Sequence, residues 1–538
     1  KGESGQERGE CHMPIEQRAS SGQACVQNIK ANARGNFPHP DPRVLSKNEW
    51  ACERQMSLWQ RTLERWFVVD PRALAVFRIA LASLVIIDVL RRISFVDMFY
   101  IADGIMLPPD ADKTYSYSLL MHIDTAAGVF AFFSAILVAA VGLLLGWRTR
   151  VMQVLCAVGV LSLHGTYYPH NGGDVLMNHL LVWSAFLPLG RVLSLDARRV
   201  GADFGLVRSP AMLALIVQLG VVYFFGGIHK SGVTWADGHG IYYTLQLDSH
   251  ATGLGVWLRD FLSLEATAVA SAWVQWAEIA ALFLLLSPLA AVWCRRLVLL
   301  GLAIPLHVGL LATFDVGLFQ PTILTLCILM VPWEDVARLA GKPATPWTPA
   351  TPGGIRAASH ALLGALATAN LWAVLALNPW SAEQLVAAGY TPSVPAPINQ
   401  VLRVTNSFQK WAMFGPEVDT GENRLAVLGR TGDGRVLDLL TGEAPYMGPN
   451  THDTEAAQTR AHPWSEFWRK YIKRLSRTDD QRHADRLGAW ALSRHNARVD
   501  VTDQIVDVPR VFLILDVSPP PGEGGEAWVR ARIHLKRR

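Results

Sequence analysis

Nine hydrophobic stretches close to bilayer-spanning length follow one another between about residues 72 and 378. This succession limits the chain to a polytopic membrane bundle. They lie at about 73–91, 125–146, 150–168, 174–190, 209–229, 267–290, 296–314, 318–334 and 357–378. Several run only 17–19 residues and carry polar groups, which suits helices packed against protein rather than wholly against lipid. Composition agrees, with 51% of residues hydrophobic and only 17% charged, where soluble domains carry about a quarter charged. Nineteen Trp suit the membrane–water interfaces, where a ring with one polar edge is at home. The formal charge of +4 is small and dispersed and gives no electrostatic footprint for nucleic acid.

The flanks differ from this core. Residues 1–55 are rich in Gly, Ser, Pro and charge without periodicity and are expected to be disordered. They contain no apolar run of the kind a cleavable signal peptide needs, and patterned sequence starts at Met56, the expected natural start. Over Met56–Val69, Trp59, Leu63 and Trp66 fall at helical spacing with Arg61, Glu64 and Arg65 between them. That pattern reads as an amphipathic helix on the membrane surface or as an ordinary packing helix. Residues 334–354 form a Pro/Thr/Gly-rich linker, and 379–400 a Pro-rich connection. The tail from 401 to 538 is soluble in composition. Arg424–Leu440 reads as two strands around Thr431-Gly432-Asp433-Gly434, residues 464–476 and 479–497 as helices, and Val511–Val517 and Ala527–Leu535 as strands. The expected organisation is a tail (1–55), an all-α membrane domain (56–378), a linker (379–400) and a small α+β extramembrane domain (401–538).

Lys and Arg in the short loops set the orientation. With the N-terminus cytoplasmic, inner loops hold eleven basic residues, from Arg148 to Arg356, against five in the outer loops: Arg91, Arg92, Lys113, Lys230 and Arg259. An odd number of spans then puts the C-terminal domain on the outer side of the membrane.

Six cysteines occur without a CxxC pair, and Cys156, Cys294 and Cys327 lie in apolar segments, so neither a zinc site nor a disulfide framework is expected. His12 and His39 form no ligand cluster, and no phosphate loop or nucleophile elbow is present. No internal repeat of the transporter kind is visible.

Ionisable groups in membrane spans are costly and so mark candidate sites. The densest cluster closes the fifth stretch and runs from Gln218 through Tyr223, Gly226, Gly227, His229 and Lys230 to Trp235, Asp237 and Gly238. Two glycines allow close backbone approach, and a lysine held in a dry pocket can serve as a general base. The same lysine could instead snorkel to headgroups. Glu278 lies mid-span and needs a partner, as do Arg78 and Asp88. Asn171-Gly-Gly-Asp174 reads as a tight turn with Asp174 capping the fourth helix or lining a pocket. His164, Tyr167 and His170 could line the same outer cavity. Pro305 should kink the seventh helix and favours a cavity beside His307. Trp464, Phe467, Trp468 and Tyr471, at helical spacing, read as packing residues.

In combination these residues resemble a known family. Tyr223-Phe224-x-x-Gly227-x-x-Lys230, followed by Trp235 and Gly238, is similar to the segment around the catalytic lysine of vitamin K-dependent gamma-carboxylases. It is more similar still to their bacterial relatives, the HTTM (horizontally transferred transmembrane domain) proteins. Asp70-Pro-Arg72-x-Leu74-x-x-Phe77-Arg78, Asn171-Gly-Gly-Asp174, Phe186-Leu-Pro-Leu-Gly190 with Ser194-Leu-Asp196, and His307 with Phe314-x-x-Gly317-x-Phe319 fall in the family's order over about 56–340. Gln409-Lys-Trp411-x-Met413-Phe414-x-Pro416 resembles the segment that follows the membrane core in bacterial members.

The resemblance implies base-initiated oxidation of a reduced, vitamin K-like quinone. Lys230 would be the base, with His307 and Asp174 in the same pocket and Trp235, Tyr223 and Gly227 against the cofactor. Where the carboxylases carry a catalytic histidine near the start of the fourth span, this sequence has Asp174, with His170 and His179 out of register. The quinol half of the chemistry is therefore expected to survive, and the carboxylation half to differ. The substrate would be a secreted peptide or a small molecule. A non-catalytic membrane factor for maturation or export of a secreted peptide is the alternative; a transporter ranks below both.

Overall fold

The computed structural model describes residues 65–101, 103–106, 117–165, 171–288, 291–342, 354–444, 466–476, 481–507, 509–517, 521 and 528–534. The tail 1–55 and most of the Met56–Val69 segment lie outside the described residues, as do Tyr167, His170 and Trp464.

The membrane core comprises α1 (Pro71–Ile93), α2 (Ala126–Leu145), α3 (Thr149–His164), α4 (Gly172–Ser184), α5 (Leu195–Val200), α6 (Pro210–Ile228), α7 (Leu264–Leu285), α8 (Ala291–Val298), α9 (Ile304–Thr313), α10 (Phe319–Met330), α11 (Trp333–Leu339) and α12 (Gly354–Leu377). Six candidate spans are long and apolar enough to cross a membrane: α1, α2, α6, α7, the rod Ala291–Thr313, and Ala358–Leu377 within α12. The chain is an integral membrane protein. A helix lies in each of the nine hydrophobic stretches, but α3, α4 and α10 are shorter than a full span. The stretch expected to run to residue 190 leaves the helix at Ser184, because Pro188 cannot continue it. The expected kink at Pro305 takes the form of a π turn, Leu299–Ala303, between α8 and α9. Widening the turn accommodates the missing N–H.

Local chemistry sets the helix starts. Asp70 caps α1 by accepting from Arg72 N at 2.8 Å, while the Arg72 guanidinium grips the same carboxylate. At that end β1 (Val68–Val69) pairs antiparallel with β2 (Val207–Arg208) and ties the entry of α1 to that of α6. Arg65–Glu334 and Arg296–Asp335 ion pairs gather there, and Arg295 donates to Arg65 O. We call this the ribbon end. α6 leaves it and delivers Lys230 to the opposite end.

The connection expected at 379–400 holds two helices, α13 (Pro379–Ala387) and α14 (Ala396–Thr405). Pro379 and Pro397 stand in their first turns, where a missing N–H costs no hydrogen bond. The C-terminal region carries a four-stranded antiparallel sheet in the order β4 (Val436–Asp438), β3 (Gly421–Arg430), β5 (Arg510–Val517), β6 (Trp528–His534). α15 (Glu466–Leu475) and α16 (Gln481–Asn496) accompany it. Phe467, Trp468 and Tyr471 are buried, as packing residues should be. α15 sits on the end of the bundle opposite the ribbon. There Phe467 meets Phe95 edge-on at 4.9 Å, and Arg469 donates to Ser249 O at 2.8 Å.

Candidate active site

The last turn of a helix leaves carbonyls without intrahelical donors. Lys230, just past the end of α6, folds its side chain back onto them. Its Nζ donates to Gly226 O at 2.8 Å and to the Glu278 carboxylate of α7. The ammonium lies 5.3 Å from the centroid of the Trp235 ring, within cation–π range. Lys230 is 4% exposed and Glu278 6%, so the lysine does not snorkel. Gln275, one turn from Glu278, donates to Lys230 O at 2.6 Å.

The glycines explain how α7 comes so close. A Cβ on Gly227 would stand 2.7 Å from Gln275 O and 2.8 Å from Ile279 Cγ1. Gly227 therefore faces the α7 backbone. A Cβ on Gly226 would sit 3.4 Å from Glu278 Oε2.

A half-buried strap, residues 406–418, closes the other side. Although soluble in composition, it is drawn into the bundle by polar anchors. Asn178 donates to Asn406 O at 3.0 Å, Gln218 to Gln409 Oε1 at 2.8 Å, and Trp411 Nε1 to the same oxygen at 2.6 Å. His229 Nδ1 lies 2.8 Å from Trp411 O. That carbonyl can only accept, so Nδ1 carries the proton, and Nε2 is left buried without a partner. Trp235 Nε1 donates to Phe414 O at 2.7 Å, and Gly232 N to Pro416 O at 2.9 Å.

Tyr223 stands on α6 seven residues before Lys230, about two turns further from the helix end. Its hydroxyl lies 3.0 Å from His307 Nε2, and the His307 ring packs edge-on against Phe319 at 5.9 Å. His307 Nδ1 is buried without a partner. Lys230 with Trp235, just past the end of α6, and Tyr223 with His307, along it, are thus two contact groups, and no hydrogen bond joins them among the described residues.

Asp174 is placed in a third group. It stands at N3 of α4 in a capping box: Asn171 caps the helix, and Asn171 N donates to Asp174 Oδ2 at 2.9 Å. Its other oxygen accepts from Arg92 Nη2 at 2.9 Å. Arg92 also donates to Asp88 at 3.0 Å and to Tyr100 OH at 2.9 Å. His164 bridges Asp88 at 3.0 Å and Asn178 at 2.8 Å and lies 3.6 Å from Asp174 Oδ1. The sequence has no metal-ligand spacing, yet folding brings ligand atoms of Asp88, His164 and Asp174 within 4.8 Å of one another. The positive group held against both carboxylates is the Arg92 guanidinium. Among the described residues, Asp174 makes no hydrogen bond or ion pair with Lys230 or His307; its partners are Asn171, Arg92 and His164. Glu466 reaches this group from α15, paired with Arg91 and accepting from Asn171 Nδ2 at 2.7 Å. Burial raises its carboxyl to about 7 against the pull of Arg91, with Asp174 adding to the rise.

Arg92, counted above as an outer-loop charge, is instead wholly buried in the last turn of α1. Its i,i+4 relation to Asp88 was the available signal. Glu278 was flagged as needing a partner, but Lys230 as that partner, the strap carbonyls and Glu466 carry no local signature.

Residues 67–334 match the family model described as HTTM domain. No curated protein and no solved structure matches the chain.

Proposed function

Because the chain belongs to the HTTM domain family through residues 67–334, we propose that it is a membrane enzyme of the vitamin K-dependent carboxylase type that uses Lys230 as the general base in quinol-linked chemistry. One observation carries the reading. The Lys230 amine is out of water, and its contacts are a carboxylate, a helix-end carbonyl and an indole face.

The residues around it fit a planar aromatic diol. His229 Nε2 and His307 Nδ1 are buried without hydrogen-bond partners, and Trp235, Tyr223, Phe319 and Trp411 offer rings beside them. A reduced quinone, when bound, supplies a phenolic hydroxyl whose deprotonation opens it to oxidation by oxygen. Glu278 takes the proton of the Lys230 ammonium along their hydrogen bond and leaves a neutral amine. With a hydroquinone bound, Lys230 Nζ would be the acceptor for its hydroxyl proton, and Gly226 O holds the amine in place. Trp235, pinned through Nε1 to the strap, keeps water from the amine. Asp174 is committed to Arg92 and the α4 cap, so the half-reaction served by a histidine in the carboxylases runs differently or is absent here.

In the membrane the nine helical stretches cross as nine spans, three of them short. The basic ribbon end faces the cytoplasm of a bacterial cell, and the C-terminal α+β unit lies outside, on the side from which a secreted peptide or small molecule enters. The test is consumption of vitamin K-type hydroquinone in membranes carrying wild type or Lys230→Ala. Loss of consumption supports the assignment; equal rates remove Lys230 as the base and leave the maturation-factor reading.

A further inference from the structure

A short helix, Gly253–Phe261, has no place in the Lys230 site. Its nine residues are too few to span a bilayer. Both of its ends are fastened to the ends of spans. Thr252, its N-cap, donates from N to Thr313 O at 2.9 Å and from its hydroxyl to Ala312 O at 2.7 Å. Gly255 rests on the same Thr313 carbonyl, which a Cβ there would overlap. Thr313 closes α9, and at the other end Phe261 stands three residues before Leu264, which opens α7. α7 and the rod Ala291–Thr313 are both candidate spans. The helix thus bridges two points where spans end. It does so on the side of the bundle opposite the ribbon, where Arg469 of α15 donates to Ser249 O and pairs with Asp315.

Its two faces differ. At about 100° per residue, Leu254, Trp257 and Phe261 share one face, and all three are exposed. Trp257 is 54% exposed and Phe261 67%, and their rings stack at 4.8 Å. The opposite face is held by the protein. Gly255 is buried against the end of α9, and Arg259, one turn on, donates to Asp248 at 2.9 Å. Asp260 flanks the apolar face and is exposed. The stripe therefore carries two aromatic rings with charged residues beside them, at the level where two spans emerge. That combination matches the boundary between lipid headgroups and acyl chains.

We propose that Gly253–Phe261 is an interfacial helix whose partner is the phospholipid leaflet at that end of the bundle. It lies in the plane of the membrane, with Leu254, Trp257 and Phe261 in the upper acyl region and Arg259 and Asp260 among the headgroups. The leaflet thereby fastens the far end of the segment that carries Trp235 over Lys230.

The test is photolabelling of the full, unmodified chain in phosphatidylcholine nanodiscs, read by peptide mass spectrometry. Two phosphatidylcholine probes carry a diazirine on an acyl chain, one near the ester and one near the terminal methyl. Leu254, Trp257 and Phe261 should take adducts from the shallow probe and few from the deep one. Trp276 is the internal control. It is 65% exposed and lies twelve residues into α7, about 18 Å deeper, so the deep probe should label it. Adducts on Trp276 with none on the helix overturn the proposal, because the face then meets water or protein. Deep-probe adducts on the helix equal to the shallow ones overturn it as well, because the helix then enters the bilayer core. Crosslinking of the helix to a second copy of the chain in place of lipid adducts is the third contrary result.

Discussion

Lys230 Nζ and the Glu278 carboxylate form a hydrogen-bonded ion pair between the end of α6 and the middle of α7, with both side chains buried. Neither group reaches bulk water, and each is the other's charge partner. This pair joins the fold and the chemistry, since the group proposed as base also closes the contact between two helices.

Removing one partner leaves an uncompensated charge in a dry site. Glu278→Gln should destabilise the protein by about 3–5 kcal/mol, and Lys230→Met/Glu278→Leu, which removes both charges, should recover most of that loss. Thermal or chemical unfolding in detergent of the single and double variants checks this. Equal losses in the two would show that packing, not charge, dominates the site.

The glycine contact gives a sharper steric test. Gly227→Ala places a methyl 2.7 Å from Gln275 O, so α6 and α7 must separate. A loss of about 1–3 kcal/mol is expected, together with slower quinol turnover as Lys230 shifts. Gly364→Ala on α12 meets nothing within 4 Å and is the control, expected to be neutral or to gain up to about 1 kcal/mol from helix propensity.

Arg92 neutralises two buried carboxylates at once. Arg92→Met should cost about 3–5 kcal/mol or more. Arg92→Lys should rescue only part of it, because one ammonium cannot reproduce the three directed bonds to Asp88, Asp174 and Tyr100. Unfolding midpoints of the two variants decide the point.

Glu466 sets a pH dependence. Burial lifts its carboxyl from 4.5 to about 7 in the folded protein, with Arg91 and Arg92 opposing the shift and Asp174 and Asp88 reinforcing it. A carboxyl raised on folding favours the folded state through its protonated form. That contribution is complete below about pH 4.5 and is lost as pH rises through about 7. Amide exchange in α15 should therefore be faster at pH 8 than at pH 6, after correction for intrinsic rates, and Glu466→Gln should flatten the difference.

Much of the scaffold was legible because its signals are local. Hydrophobic runs placed the helices, Thr431-Gly432-Asp433-Gly434 placed the β3–β4 hairpin, and Pro305 marked the interruption that became a π turn. The tail helices and strands began within two residues of expectation, at Glu466, Gln481, Arg510 and Trp528. The site was legible only in part. The buried lysine, the close-packed Gly227 and the unpaired Glu278 could each be flagged from one span, but their meeting depends on the crossing of α6 and α7. The strap 406–418 reads as soluble because its polar groups find partners in Asn178, Gln218 and His229, far away in sequence. Asp174 fits a helix cap and a pocket equally well until Arg92 is seen against it.

The most direct measurement is oxygen-dependent hydroquinone consumption in membranes by Lys230→Met/Glu278→Leu, with Glu278→Leu alone and wild type alongside. Lys230→Ala by itself leaves a buried carboxylate unpaired, whereas the double variant removes the amine and its proton acceptor together without leaving a buried charge. Folded protein at wild-type abundance with consumption reduced to that of membranes lacking the protein is the predicted result. Wild-type consumption by that double variant would contradict the account.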